Sequence, residues 1–283
     1  MRRRVQTRTN QDAATSPETL AAQYADGDNL RSRISIYDYL ERVGESPDTL
    51  ERWVLDHVAW RASMTAADVG CGPGPYLAEL SVRAARVVAL DLSPGMLRDA
   101  SIRFAASRRP SVVVADAQRL PLPDRSVDVV LCAHMLYHVP DIDAAVAEFR
   151  RVLAPGGTLL VVLNGPDDKA EIRTLWRDAA LSVSEAAFTP PHWGDRANLD
   201  NAPEMLGAHF PSVTVDRLRG VFRFPAAGPP LTWVESLRPG TEHLVADAGW
   251  TAVNARIRER IEEIVARDGE FRVSQQSGVI VAR

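Results

Sequence analysis

The stretch ADVGCGPGPYL, residues 67–77, ends an apolar run in three glycines and two prolines, and glycine lets a backbone come close to a ligand. Three ligand chemistries compete for such a turn. A phosphate loop of the Walker type ends in Gly-Lys-Ser/Thr, and no such ending follows. The dinucleotide pattern G-x-G-x-x-G is met at Gly70 and Gly72 but fails at its third position, Pro75, with Gly74 one residue early. Pro73 and Pro75 also remove two backbone donors that a pyrophosphate would use at the start of a helix. A diphosphate is therefore a poor guest. The turn favours a cofactor without a phosphate bridge, with Pro75 placed to open the following helix.

Short apolar runs alternate with amphipathic segments around this turn. AADVGC, ARVVALDL, PSVVVADA, VDVVLCAHM and GTLLVVLN read as five strands, separated by the helix-like PYLAELSVRAA, SPGMLRDASIRFAAS and DIDAAVAEFRRVL. Such alternation predicts a mostly parallel sheet with helices on both faces. SVTVDRLRGVFRF and GEFRVSQQSGVIVAR add two strands, for seven in all, flanking a helical region that includes WTAVNARIRERIEEIVAR. Ligands of open sheets of this kind bind beyond the carboxyl ends of the strands, and the turn after strand one is the first such place. Ahead of it, residues 19–62 carry apolar residues at helical spacing, with Asp48 or Ser46 as the N-cap of a second helix.

The 283 residues can bury one large core, or a core with an attached lid. A net charge of −4 gives no electrostatic footprint for nucleic acid. Lys169 is the only lysine, and the abundance of arginine and alanine reads as the bias of a GC-rich, actinobacterial type of genome. Cys71 and Cys132, the only cysteines, are too few for a disulfide framework or a cysteine-built zinc site and read as small buried hydrophobes. No apolar run reaches the length of a membrane span, and the Arg-rich start lacks the apolar stretch of a signal peptide. A cytoplasmic enzyme with a disordered tail is the expectation.

DVGCGPGPYL resembles motif I of the class I S-adenosylmethionine-dependent methyltransferases, whose glycine loop passes beside the cofactor. VVALDLSPGML, VVVADAQRLPLPDRSVDVVLCAHMLYHV and RVLAPGGTLLVV resemble the following motifs, in order, so that the likeness covers residues 64–164. It implies an α/β, Rossmann-like fold of seven mostly parallel strands and S-adenosylmethionine as cofactor. It implies that Gly70, Cys71 and Gly72 pass along the cofactor, and that Asp91 accepts hydrogen bonds from both ribose hydroxyls, as a carboxylate with two oxygens can. Leu92 and Met96 would line the adenine pocket, Asp116 would bind the adenine amino group, and Ala117 its ring edge. Ala133 and His134 would mark the strand end beside the reacting methyl. Asp68 is expected to order the loop by hydrogen bonds, and Asp128 to be core-edge structure.

The same resemblance divides the chain into a disordered tail over residues 1–20, an N-terminal helical lid over 21–62, and a catalytic domain over 63–283 with a substrate lid inserted at 165–210. Tyr24 would close over the methionine end of the cofactor, with Arg33 for its carboxylate. His134, Tyr137 and His138 would line the acceptor side, one histidine acting as base or orienting partner near neutral pH. His192, Trp193, Trp176, Phe188 and Trp233 would add aromatic walls for a flat acceptor. There is no metal pattern. The leading expectation is methylation of a small molecule, in natural-product metabolism, at C or N of an indole-like acceptor. O-methylation, an RNA or protein substrate, and a cofactor-binding cyclase that transfers no methyl stand as alternatives. No nucleic acid or membrane partner is expected, and the protein is expected to be a monomer or homodimer.

Overall fold

The alternating runs build one eight-stranded sheet with helices on both faces. The computed structural model describes residues 28–43, 48–103, 110–183, 193–238 and 249–283. In chain order the elements are α1 (Asp28–Ser35), a 3-10 turn (Ile36–Tyr39), β1 (Leu40–Arg42), α2 (Leu50–Leu55), β2 (Thr65–Val69), α3 (Leu77–Arg83), β3 (Arg86–Asp91) and α4 (Pro94–Arg103). They continue with β4 (Ser111–Val114), β5 (Val127–Ala133), α5 (Ile142–Val152), β6 (Leu153–Asn164), α6 (Ala170–Val183) and α7 (Ala202–Gly207). The chain closes with β7 (Val213–Phe224), α8 (Gly228–Glu235), α9 (Trp250–Asp268) and β8 (Phe271–Ala282).

The strand order is β1-β7-β8-β6-β5-β2-β3-β4. Neighbours from β6 through β5, β2 and β3 to β4 pair in parallel, whereas β6 with β8, β8 with β7 and β7 with β1 pair antiparallel. The sheet is thus mixed, and it has eight strands where seven mostly parallel ones were expected. The additional strand is β1, which lies in the N-terminal segment expected to be purely helical. Its three residues, Leu40 to Arg42, are too few to show alternation, and they form a strand because β7 offers an edge opposite Phe222, Val221 and Gly220.

Side chains of the central strands alternate between two apolar clusters. Val130 and Cys132 of β5 and Leu159 and Val161 of β6 pack with Ala145, Val146 and Phe149 of α5. Val129, Leu131, Leu160 and Val162 face Val54 and Leu55 of α2 and Leu77 and Leu80 of α3. A third cluster joins Ile36, Trp176, Phe222, Phe224, Val273 and Trp250, so α6 of the expected insertion is built into a core of its own. Local signals act where the physics is local. Asp141 caps α5 by accepting the Ala144 N–H at 3.0 Å. The cap of α2 is Thr49, which accepts the Arg52 N–H at 3.2 Å, rather than Asp48, which pairs with the Arg52 side chain; Ser46 lies outside the described residues. Helix α3 begins at Leu77, two residues after Pro75. Asp128 accepts the Thr65 N–H at 2.8 Å and holds the start of β2, as a core-edge residue would.

Candidate active site

The turn after β2 runs through three glycines in the left-handed region, with φ of 69° at Gly70, 54° at Gly72 and 80° at Gly74. Gly70 has a second requirement, because a Cβ there would lie 2.5 Å from Met135 Cγ. The Gly70 and Cys71 N–H groups donate to the Leu90 carbonyl at 2.7 and 3.0 Å, which seats the turn on β3. Asp91 follows directly. Its Oδ2 accepts the Gly72 N–H and its Oδ1 the Ser93 N–H, each at 2.8 Å, so each oxygen keeps a lone pair for another donor. Burial raises the Asp91 pKa, against the lowering effect of these N–H groups.

Asp68, expected to order this loop, does not. Only 1 % of it is exposed, and neither carboxylate oxygen has a hydrogen-bond partner among the described residues. Burial, and secondarily the charge of Asp91, push its pKa up to about 8. Asp91 performs the loop-ordering role in its place. Cys71 and Tyr76 are buried beside it, and the Tyr76 hydroxyl also lacks a partner among the described residues.

The strand register brings the remaining cofactor-side residues together, since β3 pairs with β4 and the Ala115 N–H donates to the Asp91 carbonyl at 3.0 Å. Leu92 is 62 % exposed beside Asp91, while Met96 and Ala117 are buried. Asp116 is exposed, and its Oδ1 accepts the Gln118 N–H at 2.9 Å.

At the end of β5, Ala133 packs against the α2/α3 face, and His134 turns the chain with φ 54° while its N–H donates to Val162 O at 2.9 Å. Burial and then Lys169 lower the His134 pKa to about 4, with Asp168 acting in the opposite sense. His138 is lowered to about 3, by burial and then by Arg33 and Arg196. The Tyr137 and His138 rings meet edge to face at 4.6 Å. Both imidazoles are therefore neutral and hold protons weakly, which is not what a base near neutral pH requires.

Arg33 donates to the Ser236 carbonyl at 3.1 Å and its hydroxyl at 3.3 Å, and its charge reaches His138. Trp176 is a core residue edge-on to Trp250 at 5.7 Å, whereas Trp233 is half-buried beside Lys169. Tyr24, Phe188 and His192, with the tail over residues 1–20, lie outside the described residues, as does the Trp193 side chain. Two residues not singled out for the site also converge on it. Arg196 donates to the carbonyls of Tyr137, Val139 and Pro140 at 3.2, 2.8 and 2.8 Å, fixing the loop that carries the histidines. Lys169 is the other, and its only sequence signal is its singularity. Among the described residues no three His, Cys, Asp or Glu side chains are grouped to hold a metal ion, and no helix is long and apolar enough to cross a membrane.

Residues 67–161 match the family model described as a methyltransferase domain. A malonyl-[acyl-carrier protein] O-methyltransferase of Laribacter hongkongensis is 32% identical over 209 residues, covering 68% of this chain and 68% of that protein. The chain belongs to the class I S-adenosylmethionine-dependent methyltransferases. A second methyltransferase of the same description, from Methylovorus sp. (strain MP688), is 35% identical over 186 residues, 62% of this chain and 61% of that one. The chain spans about half to three fifths of the length of several such curated relatives. The phosphoethanolamine N-methyltransferase 2 of Haemonchus contortus, solved with S-adenosyl-L-methionine, shares the fold, with a TM-score of 0.56 and 17% identity over 95% of this chain and 60% of that one.

The residues present fit the family's cofactor. The spare lone pairs on Asp91 suit two vicinal hydroxyls, exposed Leu92 offers an apolar surface for a flat ring, and partnerless Asp68 suits a cationic or donor group.

Proposed function

We propose that this methyltransferase esterifies the free carboxylate of a small acyl group held as a thioester, such as the malonyl group of a carrier protein or of coenzyme A. The observation that carries the reading is the state of His134 and His138, which burial keeps neutral and weakly basic at the end of β5. An acceptor served by such a site arrives as a nucleophile already, and a carboxylate does. When bound, S-adenosylmethionine supplies a methyl group on a positively charged sulfur, which a carboxylate oxygen accepts with cancellation of both charges and no proton to remove. Alignment and exclusion of water are then the protein's main tasks.

In this reading Asp91 holds the ribose hydroxyls, Gly70, Cys71 and Gly72 let the backbone pass close to the cofactor, and Leu92, Met96, Asp116 and Ala117 surround the adenine. Ala133, His134, Tyr137 and His138 border the acceptor, with His134 orienting it by a hydrogen bond rather than acting as base. The segment over residues 21–62 and the insertion at 165–210 cover the site, and Tyr24 remains the proposed cap over the methionine end. The malonyl substrates named for the curated relatives support the O-methylation alternative over an indole or natural-product acceptor. A heteroaromatic that must lose a proton from C or N would be poorly served by these histidines.

The test is incubation with S-adenosylmethionine and, separately, malonyl-coenzyme A, malonyl-carrier protein, indole, tRNA and a peptide mixture, with S-adenosylhomocysteine and product mass as readouts. A methyl ester from a malonyl thioester is expected. Turnover on indole alone, or on RNA or peptide alone, would replace this reading. Cofactor binding with no turnover on any acceptor would favour a cyclase-type role.

A further inference from the structure

Lys169, the only lysine in the chain, is 5 % exposed. It lies on the turn between β6 and α6 with φ 56°, a conformation that costs a side-chain-bearing residue about 1 kcal/mol and persists where surroundings fix it. The surroundings do so. Its N–H donates to Ser274 O at 2.9 Å, Asp168 Oδ1 accepts the Gln276 N–H at 3.0 Å, and Glu171 accepts from both the Ser274 N–H and hydroxyl, at 2.9 and 2.6 Å. The turn is clamped to β8 and directs one ammonium inward.

That ammonium has three N–H donors, and among the described residues one of them is used, on Asp168 Oδ2 at 2.6 Å. Its other neighbours are rings. Nζ lies 5.7 Å from the centroid of Tyr37, 5.3 Å from Phe222 and 6.0 Å from Trp233, within the range of cation–π attraction. Aromatic faces stabilise the charge but accept no strong hydrogen bond, so two donors remain available in a place closed to water.

The sheet register places more unused polar groups on the same face. Leu160 and Val162 of β6 and Val279 and Val281 of β8 face the α2/α3 cluster, so by alternation Asn164, Ser277 and Gln275 continue that face. Asn164 pairs with Ser277, Gln275 with Gly220, and Val273 with Phe222, whose ring meets Tyr37 edge-on at 5.4 Å. Asn164 Oδ1 and Gln275 Oε1 are buried and have no hydrogen-bond partner among the described residues. Both are hydrogen-bond acceptors, so they suit a donor-bearing part of a ligand, whereas a carboxylate can be met here only by the Lys169 N–H groups. The influence of Lys169 and Asp168 on His134 puts the group within electrostatic reach of the end of β5.

We propose that Lys169 is the anchor of the acceptor, its ammonium donating to an oxygen of the acceptor's carboxylate while the other oxygen faces the transferable methyl. This rests on the carboxylate-esterification reading above. The pairing with Asp168 gives the anchor a specific advantage. A lone ammonium would hold the carboxylate by full charge and quench its nucleophilicity, whereas the Asp168–Lys169 pair is formally neutral and orients the oxygen through hydrogen bonds. Acyl groups that end in a methyl in place of a carboxylate gain nothing from the anchor and leave its donors unmet, so the same residue selects dicarboxylic over simple acyl thioesters.

The experiment compares wild-type protein with Lys169→Met, which keeps the aliphatic stem, and with the double substitution Asp168→Asn with Lys169→Met, which leaves no buried unpaired carboxylate. Ester formation from malonyl-coenzyme A gives KM and kcat, titration with S-adenosylhomocysteine gives cofactor affinity, and thermal melting reports folding. The expected result is a rise of at least tenfold in acceptor KM in the double variant, with cofactor affinity within twofold of wild type. Wild-type KM in a folded double variant overturns the anchor while leaving esterification standing, and identifies the pair as structural. No ester from the wild-type protein overturns both.

Discussion

Asp91 Oδ2 accepts the Gly72 N–H at 2.8 Å, joining the acid at the end of β3 to the glycine turn after β2. The residue assigned to the cofactor's ribose and the loop that passes beside it are therefore one hydrogen-bonded unit, and neither is set independently.

Replacing Asp91 with alanine should accordingly do two things. Cofactor affinity, measured by calorimetry, should fall at least tenfold, because two hydroxyl acceptors are lost. Stability should fall by about 1–3 kcal/mol as the Gly72 and Ser93 N–H groups lose their acceptors. Unchanged affinity would remove Asp91 from the cofactor site.

Gly70→Ala combines a strained φ with a Cβ 2.5 Å from Met135 Cγ. A loss of roughly 2–4 kcal/mol in urea unfolding is expected. Adding Met135→Ala removes the Cγ and Cε contacts but leaves Met135 Cβ 2.8 Å from the new methyl, so it should recover only part of the steric loss, with the backbone strain of about 1 kcal/mol remaining. Full recovery would mean that the left-handed conformation carries no cost.

Asp68 gives a pH dependence with a definite sign. Its carboxyl holds its proton to about pH 8 in the folded protein and to its ordinary value of 3.8 when unfolded. The native state thus binds the extra proton between these limits, and stability falls as pH rises through that window. The cost is absent below about pH 4, is complete above about pH 8, and is at most on the order of 5 kcal/mol. Asp68→Asn should flatten the curve, and a variant that parallels wild type from pH 4 to 8 would contradict the burial argument.

With cofactor and a carboxylate acceptor saturating, kcat should show no inflection between pH 5.5 and 7, because His134 and His138 are lowered to about 4 and about 3. His134→Gln should keep a measurable fraction of kcat, since an amide can still donate a hydrogen bond. An inflection near pH 6.5 that disappears in His134→Gln would restore histidine as the base.

Much of this was legible in the chain because it is carried by local pattern. The helix–strand alternation is visible in the apolar runs, and the likeness of DVGCGPGPYL and VVALDLSPGML to family motifs singled out the glycine turn and Asp91, which the structure joins by a hydrogen bond. What escaped depends on partners distant in sequence. β1 is three residues long and exists because β7 has an edge to offer. Thr49 rather than Asp48 caps α2, a one-residue difference that composition does not encode. Arg196 meets carbonyls 56 to 59 residues away, and the cage around Lys169 draws Tyr37 from the N-terminal segment and Phe222 from the far side of the sheet. Asp68 escapes for another reason: an acid at a turn ordinarily reads as hydrogen-bonded, and its lack of a partner among the described residues goes with its burial at the end of β2.

The short strand β1 has a consequence for the sheet edge. It covers the outer edge of β7 at three of its twelve residues, Gly220 to Phe222. An uncovered strand edge is a template on which a second molecule can add its own strand. Displacing β1 would thus lengthen the exposed edge of β7 and favour pairing between copies of the chain.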